Sequence, residues 1–294
     1  MERTGMIAGL AVLWTGATAS AHDFWIEPST FQPRAEERIS VSLCLGDAFE
    51  GWPVARNAGR TAEFAATGPA GQQAIVGRDG SDPAGIASFI ATGVHVLGYR
   101  SNHAFTELPA PRFEEYLNEK GLEKIVALRK QRGTSRRKAR EVYSRHAKSL
   151  IRVGDAMGGD ADRPLGFRLE LVAESSPYDN PNGRHSFRLL FDGKPLAGAL
   201  VTATRRAAAD RRIRARTDAA GRATLPLREA GVWLIASVHM VEAPQGIAAD
   251  WESFWASLTF ELPSRRPLAA AGASPSFTPR CADPAGALAS VLGR

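Results

Sequence analysis

Of the six histidines in this chain of 294 residues, one stands where secretion would turn it into a chain terminus. The stretch Thr18-Ala19-Ser20-Ala21-His22-Asp23-Phe24-Trp25 puts His22 directly after Ala19-Ser20-Ala21, the small-x-small form of a secretory cleavage site. An arginine-bearing start and a modest apolar segment at 6–14 precede it, so residues 1–21 read as a signal peptide. That segment is too short to span a bilayer and nothing later supplies a span. The expectation is a periplasmic mature chain without a transmembrane segment. No cysteine directly follows the cleavage point, which argues against a lipid anchor. Cleavage after Ala21 gives His22 a free α-amine beside its imidazole, and these two nitrogens can chelate one transition-metal ion. Donors of this kind suit copper, nickel, cobalt or zinc. The plain alternative is a terminal histidine that binds nothing.

A mononuclear site needs more donors than one residue supplies. His239, in the apolar run 231–240, is the first candidate, with Asp250, His95 and His103 as weaker completions. With the α-amine, His22 and His239 would form a three-nitrogen set of the histidine-brace kind, which serves copper carriers and copper oxidative enzymes alike. Copper leads on the general affinity order, and the need for neutral nitrogens makes binding weaken in acid. Each of these histidines also has an ordinary reading as a packed or solvated side chain. Hydrolysis has less support, because Ser253 and Ser257 lie near His239 but in no nucleophile-elbow motif. HExxH, phosphate-cradling and dinucleotide motifs are absent from the sequence. Three functions therefore stand: transition-metal binding or delivery, a non-catalytic envelope structural or interaction module, and copper-dependent oxidation. Only the last is an enzyme. An interaction module would make contact through the aromatics Trp52, Trp251 and Phe254, unless these pack in the core.

The formal charge is +6, with basic runs at 129–145 and 205–216. Neither run is interleaved with base-stacking aromatics, which speaks against nucleic acid. The charge favours anionic partners or membrane faces without identifying one. Cys44 lies in an apolar stretch and Cys281 in a Pro/Ala/Gly/Ser-rich tail. Those settings suggest a buried thiol and a loose one, although an oxidising compartment permits a disulfide between them. Apolar alternation predicts a strand at 37–45, and short strands are expected at 71–76, 85–91 and 94–99. Phe113, Tyr116 and Leu117 begin a helix that Gly121 ends or kinks, and 135–148 is a second, basic helix candidate. Strand texture resumes near Leu165 and runs to Leu262. The expected fold is all-β, with two β-sandwich-like domains. The first spans 22–164 with a helical insert at 109–148, the second spans 165–262 and is immunoglobulin-like, and a low-complexity tail fills 263–294.

Several blocks carry a wider resemblance. They include His22-Asp23-Phe24-Trp25-Ile26-Glu27-Pro28, Leu97-Gly98-Tyr99-Arg100-Ser101, and Tyr116-Leu117 with Glu119-Lys120-Gly121-Leu122. Others are Gly193-Lys194-Pro195-Leu196, Gly231-Val232-Trp233-Leu234, Val238-His239-Met240 and Trp251-Glu252-Ser253-Phe254-Trp255. Together they resemble the periplasmic family DUF4198, also described as nickel-uptake-like or cobalt-transport periplasmic components, from the mature start to Leu262. The resemblance implies a β-rich protein with a carboxypeptidase-regulatory-like or transthyretin-like second domain. It also implies a part in nickel or cobalt uptake, with a metal-uptake membrane transporter as partner. His22 and His239 fall on family-like positions. His95 stands where an aromatic is more usual, and His103 and His146 look peculiar to this chain.

Overall fold

In the computed structural model, residues 22–155, 162–178, 183–263 and 281 are described. The signal peptide and most of the tail expected from sequence lie outside them. The first strands are β1 (Asp23–Pro28), β2 (Ile39–Asp47), β3 (Glu50–Val54), β4 (Thr61–Gly68), β5 (Gly71–Ala74) and β6 (Gly85–Ala87). β7 (Gly93–Ser101) and β8 (Ala104–Leu108) lead into helices α1 (Ala110–Glu119) and α2 (Glu123–Gln131). Then come β9 (Ala139–Val153), β10 (Leu169–Ala173), β11 (His185–Phe191), β12 (Lys194–Pro195) and β13 (Leu200–Arg205). The last are β14 (Ala208–Arg216), β15 (Arg222–Leu225), β16 (Gly231–Glu242) and β17 (Trp251–Leu262).

A nine-stranded sheet in the order β14-β13-β16-β17-β9-β7-β4-β5, with β8 added to β9, runs through the whole molecule. β17 and β9 pair in parallel, Trp251 opposite Glu141 through Thr259 opposite Ser149. Through that seam both halves of the chain share one sheet. Two four-stranded sheets cover it: β1, β2, β3 and β6 form one, and β10, β11, β12 and β15 the other. Successive side chains on a strand point to opposite faces, and this decides where each cover sits. Val94 and Val96 of β7 join a core with Leu169, Leu171, Phe187, Leu189, Ile235 and Phe254. Leu97 and Tyr99 of the same strand enter a core with Phe24, Ile26, Val41, Phe64 and Ile151. The small sheets therefore lie on opposite faces of the large one, giving two β-sandwich-like regions around a common layer. α1 and α2 share the β1–β3 face, where Phe113, Leu117 and Ile125 pack with Val238, Met240 and Trp251. Full burial of such a side chain contributes about 1.5–3 kcal/mol.

The helical insert is shorter than the sequence suggests. Helix ends at Gln131, and most of the expected second helix at 135–148 belongs instead to the central strand β9. Its polar residues look like a solvated face, yet Glu141, His146 and Lys148 are all buried. Lys148 is tolerated there because its Nζ lies 2.8 Å from Asp162 and 3.1 Å from Glu170. Partners remote in sequence override local propensity at this strand. Gly121, with φ +68°, does end α1, and a Cβ there would meet Leu200 at 2.7 Å.

The cysteines also depart from expectation. Cys44 is buried, but Cys281 is bonded to it across a Cα–Cα distance of 6.0 Å. The disulfide sits in a small core with Trp25, Phe49 and Leu234, surroundings that the local sequence of Cys281 does not reveal. No helix among the described residues is long and apolar enough to cross a membrane.

Candidate functional site

The chain enters the fold where β1 meets the end of α1 and the strands β13, β14 and β16. A cleft opens there, lined by Asp23, Glu119, Lys120, Thr202, Arg212 and Ser237 among others. Lys120 Nζ donates to Asp23 Oδ1 at 3.3 Å and lies 3.1 Å from Glu119 Oε1. Burial opposes the lysine's charge, but Asp23 and Glu119 more than offset it and hold the pKa above its usual value. Arg212 Nη2 donates to Asp47 Oδ1 at 2.6 Å, and its Nη1 lies 3.6 Å from Glu119. Carboxylates and cations thus alternate around the cleft.

His22 sits beside it, half-buried, with its ring edge-on to Trp52 at 5.1 Å. Burial lowers the imidazole pKa, Asp47 and Asp23 act against that fall, and Arg145 and Lys120 add to it. The ring is therefore held neutral and able to donate a lone pair at neutral pH. Trp52 rides on the β2–β3 hairpin, whose turn residues Ala48 and Phe49 both have positive φ, 51° and 69°. This matches a two-residue type I′ turn, an uncommon conformation for residues other than glycine or asparagine. Phe49 is buried against Trp25 at 5.5 Å, with the Arg206 guanidinium 4.7 Å above its ring, and that packing holds the turn. A Cβ at Gly46 would come 2.0 Å from the Glu50 carbonyl oxygen, so the two strands can close only with glycine there.

His239 lies elsewhere. It pairs opposite Phe254 and its ring meets Phe191 at 4.5 Å, on the face covered by β10–β12. His22 belongs to the β1–β3 side, so the structure does not bring the expected histidine pair together. Asp250 is engaged by Arg140, accepting its backbone N–H at 2.8 Å and its guanidinium at 2.9 Å. His95 packs against Phe89 at 4.4 Å, with Nε2 2.8 Å from the Ala91 carbonyl oxygen, in space that Gly68 leaves open. His103 Nε2 is 2.9 Å from Glu252, which also receives Arg168 Nη1 at 3.1 Å. His146 is buried between Phe167 and Phe254, and burial brings its pKa down to about 3. Among the described residues, no three His, Cys, Asp or Glu side chains converge as a metal-ligand set. Of the aromatics expected at a surface, Trp251 is 3% and Phe254 0% exposed, both in the core, whereas Trp52 is 42% exposed.

One buried polar cluster has no signature in the sequence. Tyr116 OH donates to Glu141 Oε1 at 3.1 Å, and Ser253 Oγ donates to the same oxygen. Trp255 Nε1 donates to Ser253 Oγ at 3.0 Å and stacks on Tyr116 at 5.4 Å. Burial lifts the Glu141 pKa to about 7, although the hydrogen bonds from Ser253 and Tyr116 favour the ionised form. Ser253 is therefore a donor to a buried carboxylate rather than an open nucleophile. The cluster fastens α1 to β9 and β17 and so positions Lys120 at the cleft. Glu141 reads locally as one charge in a basic run; only the β9–β17 pairing takes it to Ser253.

By architecture the molecule is a double β-sandwich built on one shared sheet, with a short helical insert. The chain belongs to the family described as Domain of unknown function (DUF4198), whose profile matches residues 19–241. That span includes His22, Trp52, His239 and all the cleft residues, and ends before β17. No curated protein matches the sequence significantly. Among solved structures, the chain is similar to one titled "D0-D1 domain of Intimin", with 12% identity and a TM-score of 0.21. The alignment covers 81% of this chain and 97% of that one.

Proposed function

We propose that this protein is an exported, non-catalytic module of the cell envelope that holds a partner through the surface at its mature start. The observation that carries the reading is Trp52, 42% exposed and edge-on to His22, beside a cleft of alternating charges. A fixed aromatic with charged neighbours is the usual anchor of a protein contact, and truncating such an anchor costs about 2 kcal/mol or more. Export rests on the leader at 1–21, and intact-mass analysis of the periplasmic protein checks cleavage at Ala21–His22. Crosslinking in cells with parent and Trp52→Ala proteins tests the surface. The expected outcome is a partner captured by the parent and lost from the variant; the same partners from both proteins would rule this surface out.

A second reading, transition-metal binding with a metal-uptake membrane transporter as partner, is supported at His22 by the two carboxylates acting on its ring, Asp47 and Asp23. The α-amine freed by cleavage and the imidazole would be the chelating pair, with copper favoured over nickel, cobalt or zinc. His239 packs against Phe191 on the opposite face of the large sheet, so this reading rests on His22 and not on a three-nitrogen set. Titration of processed protein with Cu(II), Ni(II), Co(II) and Zn(II) tests it. Binding should vanish when one residue is added before His22 and survive His239→Ala. A processed parent that binds none of the four ions would end the metal reading.

A further inference from the structure

Residues 110–140 hold ten Lys and Arg against four Glu, a surplus of six that equals the formal charge of the whole chain. The fold gathers this charge at one end. β8 finishes at Leu108 opposite Ala139, where β9 starts, and β16 finishes at Glu242 opposite Trp251, where β17 starts. The connections into α1, out of α2 and from β16 to β17 therefore emerge together at one end of the large sheet. Arg132–Glu242, Lys138–Glu107 and Arg140–Asp250, each at 2.9 Å, lace these connections to one another. Arg129 is buried and donates to Glu114 and to the Arg137 carbonyl oxygen, which fixes the 132–138 loop against the helices.

Five cations of this segment remain over: Lys124, in the first turn of α2, and four at this end. Arg112, Lys130, Arg136 and Arg137 are exposed, and their side chains have no ion-pair or hydrogen-bond partner among the described residues. Beside them, in the loop between β16 and β17, Ile247 is 39% exposed. We propose that this end of the molecule docks on a bilayer containing anionic phospholipid. The free cations meet the headgroup phosphates, and Ile247 reaches the apolar boundary beneath them. An acidic polypeptide would satisfy the cations but has no need of Ile247, and that separates the two partners. α1 is about 15 Å long and runs from Arg112 here to Glu119 and Lys120 at the cleft, so the bilayer contact leaves the Trp52 surface free.

The test is flotation of the processed chain with vesicles of phosphatidylcholine, with and without phosphatidylglycerol. Binding should require phosphatidylglycerol and fade as salt is raised. Neutralising Arg136→Gln with Arg137→Gln should weaken it about 30-fold, whereas Arg38→Gln with Arg78→Gln, of equal charge change, should leave it nearly unchanged. Ile247→Ser should weaken vesicle binding several-fold and leave retention on soluble polyglutamate as it was. All these side chains are exposed and each variant should melt with the parent, so lost folding cannot imitate the effect. Vesicle binding that ignores phosphatidylglycerol, or that both arginine pairs weaken equally, would overturn the proposal. So would polyglutamate binding as tight as vesicle binding with no effect of Ile247→Ser, an outcome that assigns the surface to an acidic polypeptide.

Discussion

Replacing Glu141 with glutamine isolates the cost of a buried carboxylate. In the fold this carboxyl titrates at about 7 against an ordinary 4.5, chiefly because it is buried. The native state keeps the proton over a window in which the unfolded chain has lost it. Stability from this group is therefore complete below the unfolded value of 4.5 and is lost as pH rises through about 7. At about 1.4 kcal/mol for each pH unit of the window, the loss comes to about 3 kcal/mol. Glu141→Gln still accepts from Tyr116 and Ser253 but cannot ionise. It should match the parent in acid and exceed it by up to about 3 kcal/mol above neutrality. Urea unfolding of both proteins across the range, taken as a difference at each pH, is the assay. The difference matters because burial lowers the pKa of His22, His95, His146 and His239, which tilts the parent's own curve the other way. A difference that stays flat with pH would refute the reasoning, since Glu141 would then titrate alike in both states.

His146, held at about 3 against 6.5 by burial, should make the parent lose stability as pH falls below 6.5, because the unfolded chain then takes a proton the fold refuses. His146→Phe should lose less over the same range in thermal melts followed by circular dichroism, and equal acid sensitivity would show that His146 is not the group responsible. Cys44 and Cys281 close a loop with a separation of 237 residues, so Cys44→Ser should cost about 2–5 kcal/mol. Melts with and without reductant check this: reductant should lower the parent's Tm and leave the variant's unchanged.

Much of the strand content is legible locally. The pattern at Ile39–Asp47 alternates apolar and polar side chains because one face of β2 meets the core. α1 shows itself through Phe113, Tyr116 and Leu117, all buried on one side, and through Gly121 at its end. β9 is hidden because the partners of its buried polar side chains are distant in sequence. Lys148 waits for Glu170, 22 residues on, and Glu141 for Ser253, 112 residues on. A charge without its partner looks like a solvated one.

The candidate site divides the same way. The sequence nominates His22 through the leader and Ala19-Ser20-Ala21 before it, and Trp52 through its residue type. Their setting is a tertiary product: Lys120 arrives on the end of α1 and Arg212 on the edge strand β14, and neither position is marked by its neighbours in sequence. The fate of His239 turns on the strand period of two. Its neighbours Val238 and Met240 point toward the helices on the β1–β3 side, and His239, between them, must point to the opposite face. Composition can nominate two histidines as ligands, but the pleat of one strand and the sheet between them decide that they do not meet.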